Sequence, residues 1–316
     1  MNLLLLLAIS LALSACQSHP WGSDAGAAPP DDVDPGDPVG PGGPGPRPGR
    51  GTVDRSGGAV DRLYFGFTGD TRPASADDTA GYPVATIRGI FAGLAAADVQ
   101  LALDLGDHMF VVSHPAEAAA QMGLYLSAAA TLGPRPLLPT LGNHDCGAGN
   151  CYFAADDPNF VAFGAALAGL SALPYYRFAV DTRSGPAVFV VLADNYSGDQ
   201  LAWAERTLRD ADATARYTIV ARHHPLGHQS HTALALQAII LRHRHTLLLT
   251  GHSHTYRRDP ADASGRTVIY GLGGVPGSGP NFGYGLVQQG VDDRLYVTIV
   301  DQSTGLPLDA WSVAPQ

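Results

Sequence analysis

Apolar residues recur along the chain with two periods. Short unbroken aliphatic or aromatic runs, the pattern of strands buried on both faces, cover residues 63–68, 101–105, 137–141, 217–221, 246–249, 268–272 and 295–300. Residues 175–180 and 187–193 predict a strand pair turning at Ser184-Gly185. Between these runs the spacing becomes helical. Val84, Ile87, Ile90, Phe91 and Leu94 predict a helix over 83–97, and similar patterns predict helices over 116–132, 200–208 and 232–242. Alternating strands and helices make an α/β domain, with antiparallel pairing toward its end.

The first 58 residues follow neither period. Residues 3–15 are uncharged and mostly apolar, too few to span a bilayer but matching a signal-peptide core. Residues 23–58 hold eight Pro, ten Gly and six Asp with no Leu, Ile or aromatic residue, and so cannot bury a core. The expected organisation is a signal peptide over 1–15, a Pro/Gly/Asp-rich linker over 16–58 and a folded domain over 59–316. The apolar run ends in Leu13-Ser14-Ala15-Cys16, which resembles the bacterial lipobox, although no Lys or Arg precedes it. That resemblance implies lipidation of Cys16 and an exported protein anchored to the cell envelope, at the outer membrane or cell surface. An ordinary secretory signal with an incidental cysteine is the alternative.

Composition narrows the chemistry. Acids outnumber bases 29 to 19, for a net charge of −10. There is no basic footprint, and no nucleic-acid partner is expected other than as substrate. All 19 basic residues are arginine. The missing lysine excludes Schiff-base, Walker-type and kinase chemistry. Two cysteines remain beyond Cys16. Cys146 and Cys151 stand five apart in a Gly/Asn-rich segment and predict a local disulfide in an exported protein, two free thiols being the alternative.

Five of the predicted strands end in polar clusters: Asp70, Asp107, Asn143-His144-Asp145, His223-His224, and His252 with His254. Strand ends of an α/β sheet converge on one rim, where sites are built. Imidazole and carboxylate with an amide oxygen, and no thiolate, suit two divalent or trivalent ions of the Fe, Mn or Zn class.

The order Gly69-Asp70, Gly106-Asp107, Gly142-Asn143-His144-Asp145, His223-His224-Pro225 and Gly251-His252-Ser253-His254 resembles the calcineurin-like metallophosphoesterase superfamily. His223-His224-Pro225 and Gln200-Leu201-Ala202-Trp203 look like its purple acid phosphatase branch. The resemblance implies a four-layer αββα sandwich. It implies a first metal on Asp70, Asp107 and His254, and a second on Asp107, Asn143, His223 and His252, with Asp107 bridging. It further implies a metal-activated water as nucleophile and His144 as proton donor to the leaving group. Asp145 either holds His144 or ties the turn before Cys146.

Two positions depart from the pattern. Arg72 stands where many members have a metal-binding histidine, and Phe110 where purple acid phosphatases have a ligating tyrosine. Arg72 either binds substrate phosphate or pairs with Asp77 or Asp78. His108 is expected to face solvent or substrate, or to replace the missing ligand. His224 is expected to touch substrate, and the Gly-rich stretch 271–279 to form a tight turn beneath the site. The function expected is phosphate-ester hydrolysis, monoesters before diesters. The alternatives are a phosphodiesterase on nucleotides or lipid head groups, and a non-catalytic phosphate-ligand binding protein with a degraded first metal site.

Overall fold

The computed structural model describes residues 51–147, 156–196, 199–228, 230–259, 265–270 and 282–316. In chain order these form β1 (Thr52–Asp54), β2 (Gly57–Val60), β3 (Tyr64–Thr68), α1 (Val84–Ala96), β4 (Leu101–Asp104), α2 (Glu117–Ala129), β5 (Leu137–Pro139) and α3 (Pro158–Leu167). There follow β6 (Tyr176–Thr182), β7 (Gly185–Val191), α4 (Gln200–Thr214), β8 (Tyr217–Arg222), α5 (His231–Ile240) and β9 (Leu247–Thr250). The last strands are β10 (Tyr256–Arg258), β11 (Thr267–Tyr270), β12 (Gly283–Gln289), β13 (Leu295–Asp301) and β14 (Pro307–Val313).

The strands make two sheets, ordered β1-β2-β6-β7-β8-β9-β11-β10 and β14-β13-β12-β3-β4-β5. Strands β7, β8, β9 and β11 run parallel in the first, and β3, β4 and β5 in the second. The expected antiparallel pairing near the end is the β12-β13-β14 meander.

Residue alternation explains how the layers stack. Along β7, Ala187, Phe189 and Val191 join the main core, while Val188 and Val190 join a second cluster with Ala204 and Leu208 of α4 and Leu236 and Ile240 of α5. Successive strand side chains point to opposite faces, so this sheet carries α4 and α5 on one face and meets the other sheet with its opposite face. The sheets interlock through Phe65 against Phe189, 5.1 Å between ring centroids, and Phe67 against Tyr270, 5.4 Å. Helix α1 covers the outer face of the second sheet, with α2 beside it and α3 beside α2. The result is the αββα sandwich that the resemblance implies.

The sheet begins before the expected domain boundary at Ala59. Strand β1 and the start of β2 form a hairpin inside the Gly-rich segment, with Val53 buried. Helix α3 also went unpredicted. Its start carries a clear signal: Asp157 caps it, accepting from the Asn159 and Phe160 amides, and Pro158 follows. Residues 1–50, including Cys16 and most of the expected linker, lie outside the described residues, as do Cys151 and the stretch 271–281. Cys146 is disulfide-bonded. Among the described residues no helix is long and apolar enough to cross a membrane.

Candidate metal centre

Three parallel strands of one sheet and two of the other point their C-terminal ends at one rim. The loops after β3, β4, β5, β8 and β9 meet there. Asp70 N–H donates to the Gly106 carbonyl at 2.8 Å, and Gly251 N–H to the His223 carbonyl at 2.8 Å. These turns are sharp. Asp70, Asp107, His252 and His254 all adopt positive φ, 49° to 70°, a region that side chains other than glycine rarely visit. A Cβ on Gly142 would lie 2.2 Å from the Asp107 nitrogen, so only glycine lets the β4 and β5 loops approach this closely.

The turns converge donor atoms. Asn143 Oδ1 lies 3.0 Å from His223 Nε2 and 3.0 Å from His252 Nδ1, and His223 Nε2 lies 3.3 Å from Asp107 Oδ1. His223 Nδ1 is 2.7 Å from the Leu105 carbonyl, which takes its proton and leaves Nε2 as a lone pair facing two oxygens. Three lone-pair atoms aimed at one another need a proton or a cation between them. Burial opposes charge on His223, yet Asp107 and Asp70 push it up to about 10, the signature of a pocket built for positive charge. Burial and the neighbouring His223 lower His252 to about 3, so its ring is neutral and able to coordinate. Asp107, Asn143, His223 and His252 therefore fit one ion.

Asp70, Asp107 and His254 form a second group of potential ligands within 4.8 Å of one another. Asp70 Oδ1 and Asp107 Oδ2 are buried without a hydrogen bond among the described residues. Burial pushes Asp70 up to about 8, with Asp107 adding to the shift and His223 opposing it. Burial also disfavours the charged form of Asp107, but His223 and His144 more than offset this and hold it below the usual carboxylate range.

Arg72 reaches into this second group. Its Nε lies 3.5 Å from Asp107 Oδ2 and its Nη2 3.2 Å from His254 Nε2. The alternative pairing with Asp77 or Asp78 does not form: Asp77 accepts the Val112, Ser113 and His114 amides, and Asp78 that of Gly81. His144 stands at the mouth, its Nε2 4.0 Å from Asp107 Oδ2, its amide donating to Asp107 Oδ1 at 2.9 Å and its ring 4.2 Å from Phe110. Burial lowers the pKa of His144.

His108 corrects the sequence reading. It faces neither solvent nor a metal, but lies fully buried between Asp145 Oδ2 at 2.9 Å and Asp104 Oδ1 at 3.4 Å, edge-on to Tyr125. Burial alone would lower it; the two carboxylates push it up to about 9. Of the two roles left open for Asp145, these contacts describe the turn-tying one: it accepts the Asp107, His108 and Gly142 amides.

His224 is buried behind the centre. It stacks on His228 at 3.7 Å and lies within coordination reach of the His223 and His252 donors. Its amide donates to Asp194 Oδ2 at 2.8 Å, and Asp194 in turn pairs with a fully buried Arg222. Sequence reasoning missed both Asp194 and Arg222.

The calcineurin-like phosphoesterase family profile matches residues 64–256. No curated protein matches the sequence. In structure the chain is similar to a purple acid phosphatase from yellow lupin seeds, at 14% identity and TM-score 0.59, over 83% of this chain and 55% of that one. It is also similar to a dimetal phosphatase from Danio rerio, at 13% identity and TM-score 0.54, over 80% and 99% of the two chains. GAP50, the anchor in the inner membrane complex of Plasmodium, is similar at 13% identity and TM-score 0.57, over 81% and 89%. At such identities the likeness is one of fold.

Proposed function

The chain belongs to the calcineurin-like phosphoesterase family, and from that premise we propose that it is an exported metal-dependent hydrolase of phosphate esters, with monoesters as its main substrates. One observation carries the reading. Side chains from four separate loops, Asp107, Asn143, His223 and His252, aim donor atoms at a single point. A bound ion of the Fe, Mn or Zn class would polarise the phosphoryl group and make a water molecule nucleophilic near neutral pH.

The chain's own residues do the rest. His144, half-buried at the mouth, donates a proton from its ring to the leaving alkoxide. Its ring is held by Phe110, and its backbone by Asp107 Oδ1 and the Asn159 side-chain amide. Arg72 offers a permanent charge to phosphoryl oxygens, which favours a dianionic monoester over a diester. Export and a lipid anchor at Cys16 rest on the Leu13-Ser14-Ala15-Cys16 sequence.

Nitrophenyl phosphate turnover by metal-replete Asn143→Ala and His144→Ala tests the assignment. His144→Ala should lose about 10²- to 10⁴-fold, the usual contribution of a positioned proton donor, and Asn143→Ala should lose turnover together with a ligand of the ion. Full activity in both variants would remove the site. Faster turnover of a nitrophenyl diester than of the monoester would move the substrate class to diesters.

A further inference from the structure

The two positions at which the chain departs from the pattern it resembles touch one another. The Arg72 guanidinium lies 4.4 Å above the Phe110 ring. Phenylalanine cannot coordinate a metal where a tyrosine would, but its face attracts a cation. Held there, the guanidinium meets two of the three side chains of the Asp70–Asp107–His254 group, at 3.5 Å from Asp107 Oδ2 and 3.2 Å from His254 Nε2. A third nitrogen, Nη1, donates to the Pro73 carbonyl at 3.1 Å and fixes the fork. Only 12% of the Arg72 side chain is exposed.

We infer that Arg72 is the cation of the first centre, so that the chain carries one metal ion where its relatives' pattern provides for two. A guanidinium stays protonated under all working conditions and has no lone pair to offer a metal. Its Nη2–H faces His254 Nε2 and uses the lone pair a first ion would need. A divalent ion among the same side chains would sit a few ångströms from a fixed positive charge in a pocket with little water to screen it. Asp70 Oδ1 stays 3.4 Å from the same His254 Nε2, and its Oδ2 accepts the His252 amide at 3.0 Å, which sets the turn that presents His252 to the remaining ion. The phosphoryl group would then lie between one exchangeable cation and one built into the fold.

The inference rests on the proposed function only for the centre formed by Asp107, Asn143, His223 and His252. Its test is the manganese content and electron paramagnetic resonance spectrum of the full chain loaded with Mn(II) alone and washed, read beside nitrophenyl phosphate turnover. The wild type should hold one manganese per chain with the spectrum of an isolated ion. Arg72→His should double the bound manganese and give a spin-coupled pair. Asp70→Asn should leave the wild-type stoichiometry at one, whereas a two-ion protein would fall from two to one. Two coupled ions in the wild type would overturn the inference, and turnover by that species would leave the hydrolytic reading standing. One ion without turnover would uphold the inference and overturn the hydrolytic reading. No retained manganese would overturn both.

Discussion

The ion pair behind the metal centre makes the sharpest energetic prediction. Asp194 and Arg222 are both fully buried, with Nη2 2.9 Å from Oδ1 and Nε 3.2 Å from Oδ2. Burial would raise the Asp194 carboxyl, but Arg222 and His224 more than offset it and hold the group ionised below its ordinary range. The fork is incompletely used, because neither Nη1 nor Nη2 of Arg222 makes a hydrogen bond among the described residues, Nη2 meeting Asp194 Oδ1 only as an ion pair. A buried pair of this kind is costly to form and still more costly to halve. Arg222→Met strands a carboxylate and Asp194→Asn strands a guanidinium, each a loss of about 3–5 kcal/mol. The double variant strands no charge, and the side-chain carbonyl of the substituted amide can still accept the His224 N–H that Asp194 now accepts. It should therefore lose only about 1–3 kcal/mol, the cost of an amide nitrogen buried without an acceptor, so the two single effects fail to add by several kcal/mol. Urea unfolding of metal-free protein, extrapolated linearly to water, measures all four corners of the cycle, and losses of this size are resolvable against a typical total of about 5–15 kcal/mol. Additivity within about 0.5 kcal/mol would refute the reasoning, since it would mean that neither charge depends on the other.

Two further predictions concern other charged groups. Asp145→Asn replaces an acceptor with a donor opposite the Asp107 and Gly142 amides, which Asp145 Oδ2 now receives at 3.2 and 2.8 Å. Two buried amides without acceptors cost about 2–6 kcal/mol in urea unfolding, and a loss below about 1 kcal/mol would show that the carboxylate does not organise the turn. Glu205 is lowered to about 2 by its hydrogen bond from Arg242, with Arg209 and His243 helping. A depressed carboxyl stabilises fully above its ordinary value of 4.5 and loses that contribution as pH falls toward 2. Glu205→Gln should therefore melt below the wild type at pH 6 and converge with it in acid, and a constant offset at every pH would contradict the assignment.

How far the site could be read from the chain depended on distance along it. Each donor cluster is local, an apolar strand followed by a polar residue at its end, usually after glycine, so Asp70, Asp107, Asn143 and the histidines that follow β8 and β9 stand out without tertiary information. The glycines belong to the same signal: a side chain at Gly142 would collide with Asp107, and one at Gly106 would lie 2.7 Å from His223 Nδ1. Helix α3 carries its own start signal in Asp157-Pro158, but the strands missed lack such marks. Strand β12 places Gly283 and Gly285 on its buried face, which hides the apolar period. Strand β1 and the start of β2 lie within a segment whose composition reads as linker.

Burial and pairing account for the remaining errors. Arg222 and Asp194 carry no local mark of a role, and only the packing of β7 beside β8 makes each the other's counterion. His108, next to Asp107, reads as a site residue by position, but the left-handed turn at Asp107 precedes a ring buried between Asp104 and Asp145. That ring ties β4 to the turn after β5. The centre thus rests on two buried charge clusters, His108 with Asp104 and Asp145 beneath one sheet's loops and Arg222 with Asp194 beneath the other's. Neither cluster touches the point where Asn143, His223 and His252 converge, yet each fixes the backbone that carries a donor: Asp145 through the Asp107 amide and Asp194 through the amide next to His223. Substitutions in these clusters should accordingly weaken metal binding through the loops and leave every donor atom chemically intact.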